Sequence, residues 1–367
     1  MRFIVAVVAL VMIVGVAAVG AIVSQKNVVP VTAALRPAPA EPVRTVTTLM
    51  EEPNAAPSAG TANPVFAGAP IGAAQVALAR PENAGSTPTR DAPAASSCPG
   101  NPNALGVSRV VEIDTTGGPQ FGFEHFKTHD FLRPGEVVLT FDDGPWPKNT
   151  PAVLAALAAH CTKAIFFPIG LHATYEPGIL KQVAAAGHAV GSHTWCHQDL
   201  SKTKGRCLIN GKVQAVEYDP KEEIEKGISA VHMAVGAPTA PYFRFPALKH
   251  PPELLAYLAQ RNIAVFSTDF DSFDFKMRRP EQVRQAVMAK LTRFGKGIVL
   301  MHDFQHATAE AAADLLNDLK AGGYKVVFMK PKFPVTAIAS YDEAVLKASK
   351  LPSDGRPTSS VVRTISE

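Results

Sequence analysis

An α/β domain whose parallel strands close, or nearly close, into a barrel is the fold class this sequence predicts. Short apolar runs alternate with helix-patterned stretches from residue 137 to residue 328, and a β–α–β rhythm implies parallel strands covered by helices. About seven such units are present, enough for a sheet to curl on itself. A doubly wound open sheet is the alternative, but no glycine-rich phosphate loop follows the first strand to favour it.

Residues 137–141 form the first apolar run and read as a strand. Thr150 and Pro151 then supply a capping hydroxyl and a proline at the first helical position, opening a helix that runs to His160. A second strand over 163–167 leads to a helix over 176–186, which Gly187 stops. The third strand covers 189–192. A polar insertion, 201–218, precedes a helix that Asp219 caps, with Pro220 and Glu222 behind it. Strands over 242–244, 263–267, 297–301 and 325–328 follow, with helices over 252–261, 280–291 and 307–321 between them.

The flanks are of another kind. Residues 3–23 are continuously apolar behind the cationic Arg2, close to the ~20 residues that cross a bilayer. Two readings fit: a signal peptide cut near Gly20 and Ala21, or a retained signal anchor. Either places the remainder outside the cytoplasm, in the periplasm, held at the inner membrane or secreted. Residues 24–105 are dominated by Ala, Pro, Ser, Gly and Thr, with Phe66 the only aromatic. Such a stretch buries too little apolar surface to offset chain ordering, so a disordered spacer is expected. The folded domain is then expected over 106–345, with a polar tail over 346–367. A formal net charge of +4 and the lack of any long Lys/Arg run argue against a nucleic-acid face.

Four cysteines, Cys98, Cys161, Cys196 and Cys207, show no C-x-x-C zinc spacing. In an oxidising compartment Cys196 can pair with Cys207 and Cys98 with Cys161, one of three possible connectivities; buried free thiols fit as well.

Polar residues suited to metal or acid–base chemistry recur just beyond the strands, on the rim where barrel active sites are built. Asp142-Asp143-Gly144-Pro145 follows the first strand, His193-Thr194-Trp195-Cys196-His197 the third, and Arg244-Phe245-Pro246 the fourth. A run from Asp269 to Phe275, containing Asp271 and Asp274, follows the fifth, and His302-Asp303 the sixth. One carboxylate and two imidazoles can hold a divalent cation with a position left for water. Two histidines at i and i+4 share one face of a helical turn, so His193 and His197 can bind one ion. Of the adjacent carboxylates Asp142 and Asp143, one can ligate while the other takes a proton from the water.

These motifs, in this order, resemble the polysaccharide deacetylase family (NodB-homology domain, carbohydrate esterase family four) over residues 136–329. The resemblance implies a distorted (β/α)7 barrel and a divalent metal, usually zinc, with cobalt or another divalent ion as alternatives. It implies Asp143, His193 and His197 as metal ligands, Asp142 as general base and His302 as general acid. Arg244 would orient Asp142, and Asp274 would position His302. Two positions depart from the family pattern: Phe275 stands where Trp is usual and Ala247 where Tyr is usual. Both bear on substrate preference, and a backbone N–H at Ala247 is still available to an oxyanion.

Asp269 and Asp271 are candidates for supporting roles, and His306 for a substrate contact. Phe273, Phe304 and Trp146 can stack on sugar rings or simply pack. His160, His172, His188, His232 and His250 read as structural or exposed. The expected activity is metal-dependent hydrolysis of N-acetyl groups on an envelope polysaccharide, by a chain expected to act as a monomer. Hydrolysis of O-acetyl esters and non-catalytic glycan binding on the same fold are the alternatives.

Overall fold

The structure, a computed structural model, describes residues 98–349. The apolar segment 3–23, the spacer as far as residue 97 and the tail beyond 349 lie outside the described residues. The strands are β1 (Arg109–Ile113), β2 (Gln120–Phe121), β3 (Glu136–Asp142), β4 (Ile165–Phe167), β5 (Ala189–Val190), β6 (Lys204–Ile209), β7 (Lys212–Glu217), β8 (Tyr242–Phe243), β9 (Ala264–Phe266), β10 (Phe270–Asp271), β11 (Gly297–His302) and β12 (Lys325–Pro331). The helices are α1 (Asn149–Ala159), α2 (Gly170–Tyr175), α3 (Pro177–Ala185), α4 (Pro220–Val235), α5 (Pro252–Gln260), α6 (Pro280–Phe294), α7 (His306–Ala321) and α8 (Ala339–Ala348). Among the described residues no helix is long and apolar enough to cross a membrane.

Every ladder is parallel except the β6–β7 hairpin. β3 lies between β11 and β4, and its first residues also meet β12, which carries β1. β4 pairs with β5, and a single parallel bridge from Ser192 to Phe243 hands the pairing on to β8. β8 pairs with β9, and the chain leaving β9 returns as β10 to the free side of β11. The pairings thus run β11–β3–β4–β5–β8–β9, and β10 brings the next stretch of chain back to β11.

Side-chain alternation along these strands decides where the chemistry sits. In β3, Val137, Leu139 and Phe141 join the cluster packed under α1 and α7, whereas Val138 joins a second cluster. That second cluster gathers Ile165 and Phe167 of β4, Tyr242 of β8, Ala264 and Phe266 of β9, Ile298 of β11 and Met329 of β12. The face shared by these residues is the inner one. By the same period of two it also carries Thr140, Asp142, Arg244, Leu300 and His302. The parallel register sets His302 directly beside Asp142.

Several elements differ from the sequence expectation. The helix expected over 176–186 is α3, opened by Pro177, but an unanticipated short helix, α2, precedes it and ends where Glu176 leaves the helical region. Thr150 is not a cap: Lys148 holds that position, while the Thr150 hydroxyl accepts from Trp146 N–H and donates to buried Asp303. The polar insertion is the β6–β7 hairpin, turned by Asn210 and Gly211 at φ 51° and 74°, the double positive φ of a type I′ turn. Both disulfides form, Cys98–Cys161 and Cys196–Cys207, with Cα separations of 5.6 and 5.8 Å, so the free-thiol reading is set aside. Residues 98–105 belong to the fold rather than to a spacer: besides the disulfide, Asn101 Nδ2 donates to Ala159 O at 2.8 Å. At the other end α8 runs past the expected boundary at 345, with Asp342 accepting from Ser229 Oγ of α4 at 2.6 Å.

Helix α4 packs unusually close to the site through Gly227. A Cβ there would stand 2.5 Å from Thr194 C, and one on Gly170 of α2 would stand 2.9 Å from Gly227 Cα. Gly227→Ala gains helix propensity of up to ~1 kcal/mol, but overpacking typically costs about 1–3 kcal/mol. A net loss of stability in urea unfolding is expected; an unchanged or raised midpoint would show that the contact yields.

Candidate active site

Arg244 sits at the end of β8 with no exposed surface, and a buried guanidinium requires acceptors for its donors. Nη1 donates to Asp142 Oδ1 and to Thr140 Oγ1, both at 2.7 Å. Nη2 donates to Ser267 O at 2.9 Å and Nε to Phe266 O at 3.4 Å, while the guanidinium lies 4.4 Å over the Phe167 ring. One side chain therefore ties β8 to β3 and β9 and fixes the rotamer of Asp142. The carboxylate's other oxygen, Oδ2, is turned toward His193 Nε2, 3.9 Å away.

The turn 193–197 is not helical, contrary to expectation. Its backbone groups are claimed by its neighbours: Thr194 O and Trp195 O accept from Gly170 and Leu171 of α2, and Trp195 N–H donates to Glu223 O. Cys196 N–H donates to the Glu223 carboxylate at 2.9 Å. Thr194 and His197 adopt φ of 67° and 53°. The two imidazoles converge by that left-handed geometry, with ring centroids 4.9 Å apart. Asp143, also left-handed at φ 73°, sends Oδ1 to within 3.5 Å of His193 Nε2 and 3.4 Å of His197 Nε2. Such conformations cost roughly 1–2 kcal/mol per non-glycine residue and persist where the surroundings dictate them.

Asp143, His193 and His197 offer three donor atoms within 4.8 Å of one another. Two observations fit a cation among them. Asp143 Oδ1 is buried with no hydrogen-bond partner, an orphan that a positive ion would satisfy. His193 Nδ1–H donates to Arg244 O at 2.7 Å, which assigns the proton to Nδ1 and points the Nε2 lone pair at the trio. Burial pushes His193 down to about 4, beyond what Asp142 and Asp143 restore, so it stays neutral as a ligand must. Burial resists ionisation of Asp143, yet the imidazoles of His197, His302 and His193 hold it below the usual carboxylate value.

His302, at the end of β11, places Nε2 4.0 Å from Asp143 Oδ2. Its Nδ1 donates to Asp274 Oδ1 at 2.6 Å. Asp274 is wholly buried and its Oδ2 accepts from His302 N–H at 2.7 Å and from Thr308 Oγ1 at 2.5 Å. Burial opposes a charged imidazole here, but the hydrogen bond and charge of Asp274, reinforced by Asp143 and Asp142, push His302 up to about 10. A cation beside Asp143 would offset that carboxylate's share.

Residues 132–266 match the sequence model of the family described as Polysaccharide deacetylase. A chitooligosaccharide deacetylase of Sinorhizobium fredii is 32% identical over 167 residues, 46% of this chain and 71% of that protein. The chain belongs to the polysaccharide deacetylase family. A peptidoglycan-N-acetylglucosamine deacetylase of Listeria monocytogenes is 33% identical over 194 residues, 52% of this chain; the chain spans only 37% of that relative's length. A peptidoglycan deacetylase of Bdellovibrio bacteriovorus superposes with a TM-score of 0.52 at 31% identity, covering 62% of this chain and 59% of that one.

Asp142, Asp143, His193, His197 and His302 line one cleft of about 530 Å3, while Arg244 and Asp274 are fully buried and hydrogen-bonded to Asp142 and His302 respectively. Phe275, in the place of the usual Trp, lines the cleft and meets His302 edge-on with centroids 5.4 Å apart. Ala247 also lines it, at φ 52°. Phe273 and Asp271 line the wall, whereas Asp269 accepts from Phe123 and Ile298 N–H and is structural. Trp146 and Phe304 do not line this cleft; Trp146 packs on His172 at 5.3 Å and on Phe304 at 6.2 Å. His306 is exposed and faces Glu310 at 3.2 Å, apart from the cleft lining.

Two supports carried no signal strong enough to read in advance. His172 Nδ1–H donates to Asp143 O at 2.7 Å, bracing the left-handed backbone of Asp143. Asp303 accepts from Gly144 N–H at 3.1 Å and from the Thr150 hydroxyl, and burial pushes its carboxyl up to about 7. It fills the space where a Cβ on Gly144 would stand, 2.2 Å from its Oδ2, so the loop carrying Asp143 requires glycine there.

His193→Ala should weaken zinc binding, read by titration calorimetry, by more than the ~10–100-fold that loss of a supporting contact costs; unaltered affinity would remove it from the site. In metal-free protein Asp274→Asn should lower the His302 pKa, followed by NMR, by about 1–3 pH units. Since His302 binds its proton more tightly folded (about 10) than its ordinary value of 6.5, its stabilising contribution is complete below about pH 6.5 and fades as pH rises through 10. A stability profile of metal-free protein that improves over that range would contradict the sign.

Proposed function

We propose that this chain hydrolyses N-acetyl groups on an extracytoplasmic polysaccharide, releasing acetate, and that peptidoglycan is the first substrate to test. The observation that carries the proposal is the pairing of two opposed proton-handling groups on one Asp–His–His trio. Asp142, whose Oδ1 is committed to Arg244, keeps Oδ2 3.9 Å from His193, and a protonated His302 stands 4.0 Å from Asp143. We read the circuit of parallel strands as the distorted (β/α)7 barrel implied by the resemblance, with the site on its C-terminal rim.

In this reading Asp143, His193 and His197 hold a divalent ion, zinc in the first instance, with cobalt or another divalent ion able to substitute. Such an ion acidifies water and polarises the acetyl carbonyl. Asp142 Oδ2 accepts the proton of the attacking water, and the hydrogen bond from Arg244 keeps that carboxylate aimed. The backbone N–H of Ala247 is available to the developing oxyanion. His302 Nε2 donates a proton to the departing amine, with Asp274 holding the imidazole charged and oriented.

Amide over ester hydrolysis is supported by His302. An amine is a poor leaving group until protonated, and the Asp274 carboxylate keeps the acid loaded at neutral pH. The Sinorhizobium chitooligosaccharide deacetylase and the Listeria peptidoglycan-N-acetylglucosamine deacetylase support the same choice. Action outside the cytoplasm, at the inner membrane or secreted, with no nucleic-acid partner, completes the proposal.

Acetate release from peptidoglycan and from chitooligosaccharides by the full chain should be abolished by a chelator and restored by zinc. Asp142→Asn should retain zinc yet lose turnover by about 10²–10⁴-fold. Release from O-acetylated glycan alone would replace the amide reading with an esterase, and glycan binding without release under every metal would replace it with a binding module.

A further inference from the structure

A second cleft of about 550 Å3 adjoins the first and contains none of the trio, Asp142 or His302. Glu124, Asp271 and Phe273 contribute to both linings, so the two are continuous along one wall. Its own surface has an aromatic floor and rim. Phe294, the last residue of α6, lies parallel to buried Phe270 with centroids 5.8 Å apart and planes 9° from parallel. Its side is open to water: Phe294 is 49% exposed and Phe273 40%. The chain's own cations cover these rings only in part, with Lys276 Nζ 4.5 Å from the Phe273 centroid and Arg293 Cζ 5.3 Å from that of Phe294, and the remaining aromatic surface is open to a ligand.

The charges around those rings balance, with four acidic and four basic side chains in the lining. The cations are also largely committed. Lys296 Nζ donates to Asp130 at 2.6 Å and to Leu132 O at 2.7 Å, and Lys290 Nζ donates to Asp271 O while lying 4.3 Å over the Phe273 ring. A lining without net charge gives a carboxylate- or phosphate-bearing ligand no advantage. Aromatic faces edged by both donors and acceptors suit a neutral polyol, whose C–H faces stack while its hydroxyls hydrogen-bond.

We propose that this cleft binds neutral N-acetylhexosamine units of the glycan chain remote from the acetamide being cleaved. Phe294 is a specificity-determining residue that selects chains long enough to reach it. The inference rests on the proposed glycan substrate, but not on catalysis. Phe294 and Arg293 line only the second cleft, so their replacement leaves the trio, Asp142 and His302 untouched.

The test is binding, read by titration calorimetry on the full chain carrying Asp142→Asn, with chitobiose, chitohexaose and a muramidase-released peptidoglycan tetrasaccharide as probes. A longer chain should bind more tightly than chitobiose. Phe294→Ala should erase that advantage, weakening the longer chain by about 3–10-fold while leaving chitobiose unchanged; Phe294→Tyr should restore it. Should Phe294→Ala unfold the protein, Arg293→Ala at the exposed rim is expected to give a smaller loss in the same length-dependent sense. Equal loss for short and long chains, no loss in a folded Phe294→Ala, or no binding of either longer probe would overturn the subsite. Acetate release in the wild type separates the two ideas: no release with length-dependent binding removes the proposed hydrolysis and keeps the subsite, whereas release without length dependence does the reverse.

Discussion

A fully buried guanidinium has to be surrounded by acceptors, and the site of this protein is arranged around that demand. Arg244 takes Asp142 and Thr140 from β3 and two carbonyls from β9 and the residue after it, and its own carbonyl accepts from His193. Three separate stretches of chain are thereby referenced to one side chain. Removing one member of such a buried pair typically costs about 3–5 kcal/mol, because the remaining charge is left uncompensated. The geometry at Asp142 and the tautomer of His193 consequently depend on each other through Arg244.

Around that centre, neighbouring groups of one chemical type are driven apart in their protonation. His193, buried against the inner wall, is held neutral, while His302, buried beside Asp274, is held charged. The difference lies in what each Nδ1 meets: a carbonyl for His193 and a carboxylate for His302. Two adjacent aspartates separate similarly by direction. Asp142 follows the strand and points to Arg244, whereas Asp143 turns left-handed and presents an oxygen that no donor satisfies. In the proposed mechanism, ligand, base and acid are distinguished by partners rather than by residue type.

Much of this was legible in the sequence because strand alternation carries side-chain direction. Once residues 137–141 read as a buried strand, Asp142 falls on the face of Val138 and Thr140, and the same count places Arg244 after Tyr242 and His302 after Leu300. What escaped was set by contacts rather than by pattern. The short strands β1 and β2 take their order from neighbours, and β1 alternates half-buried with exposed positions. The turn 193–197 has helical spacing but gives its backbone hydrogen bonds to α2 and Glu223. His172 supports Asp143 from α2, a six-residue helix too short to show a periodic pattern, and Asp303 acts by filling the space left by Gly144. No local periodicity encodes such pairings.

The central claim is that one cation is held by Asp143, His193 and His197 while Asp142 stands beside it uncoordinated. Anomalous diffraction from crystals grown with zinc tests this most directly. The account predicts a single strong peak in contact with Asp143 Oδ1 and the Nε2 atoms of both histidines, with the Asp142–Arg244 hydrogen bond intact. A peak ligated by Asp142 in place of Asp143, or located away from both imidazoles, would contradict it.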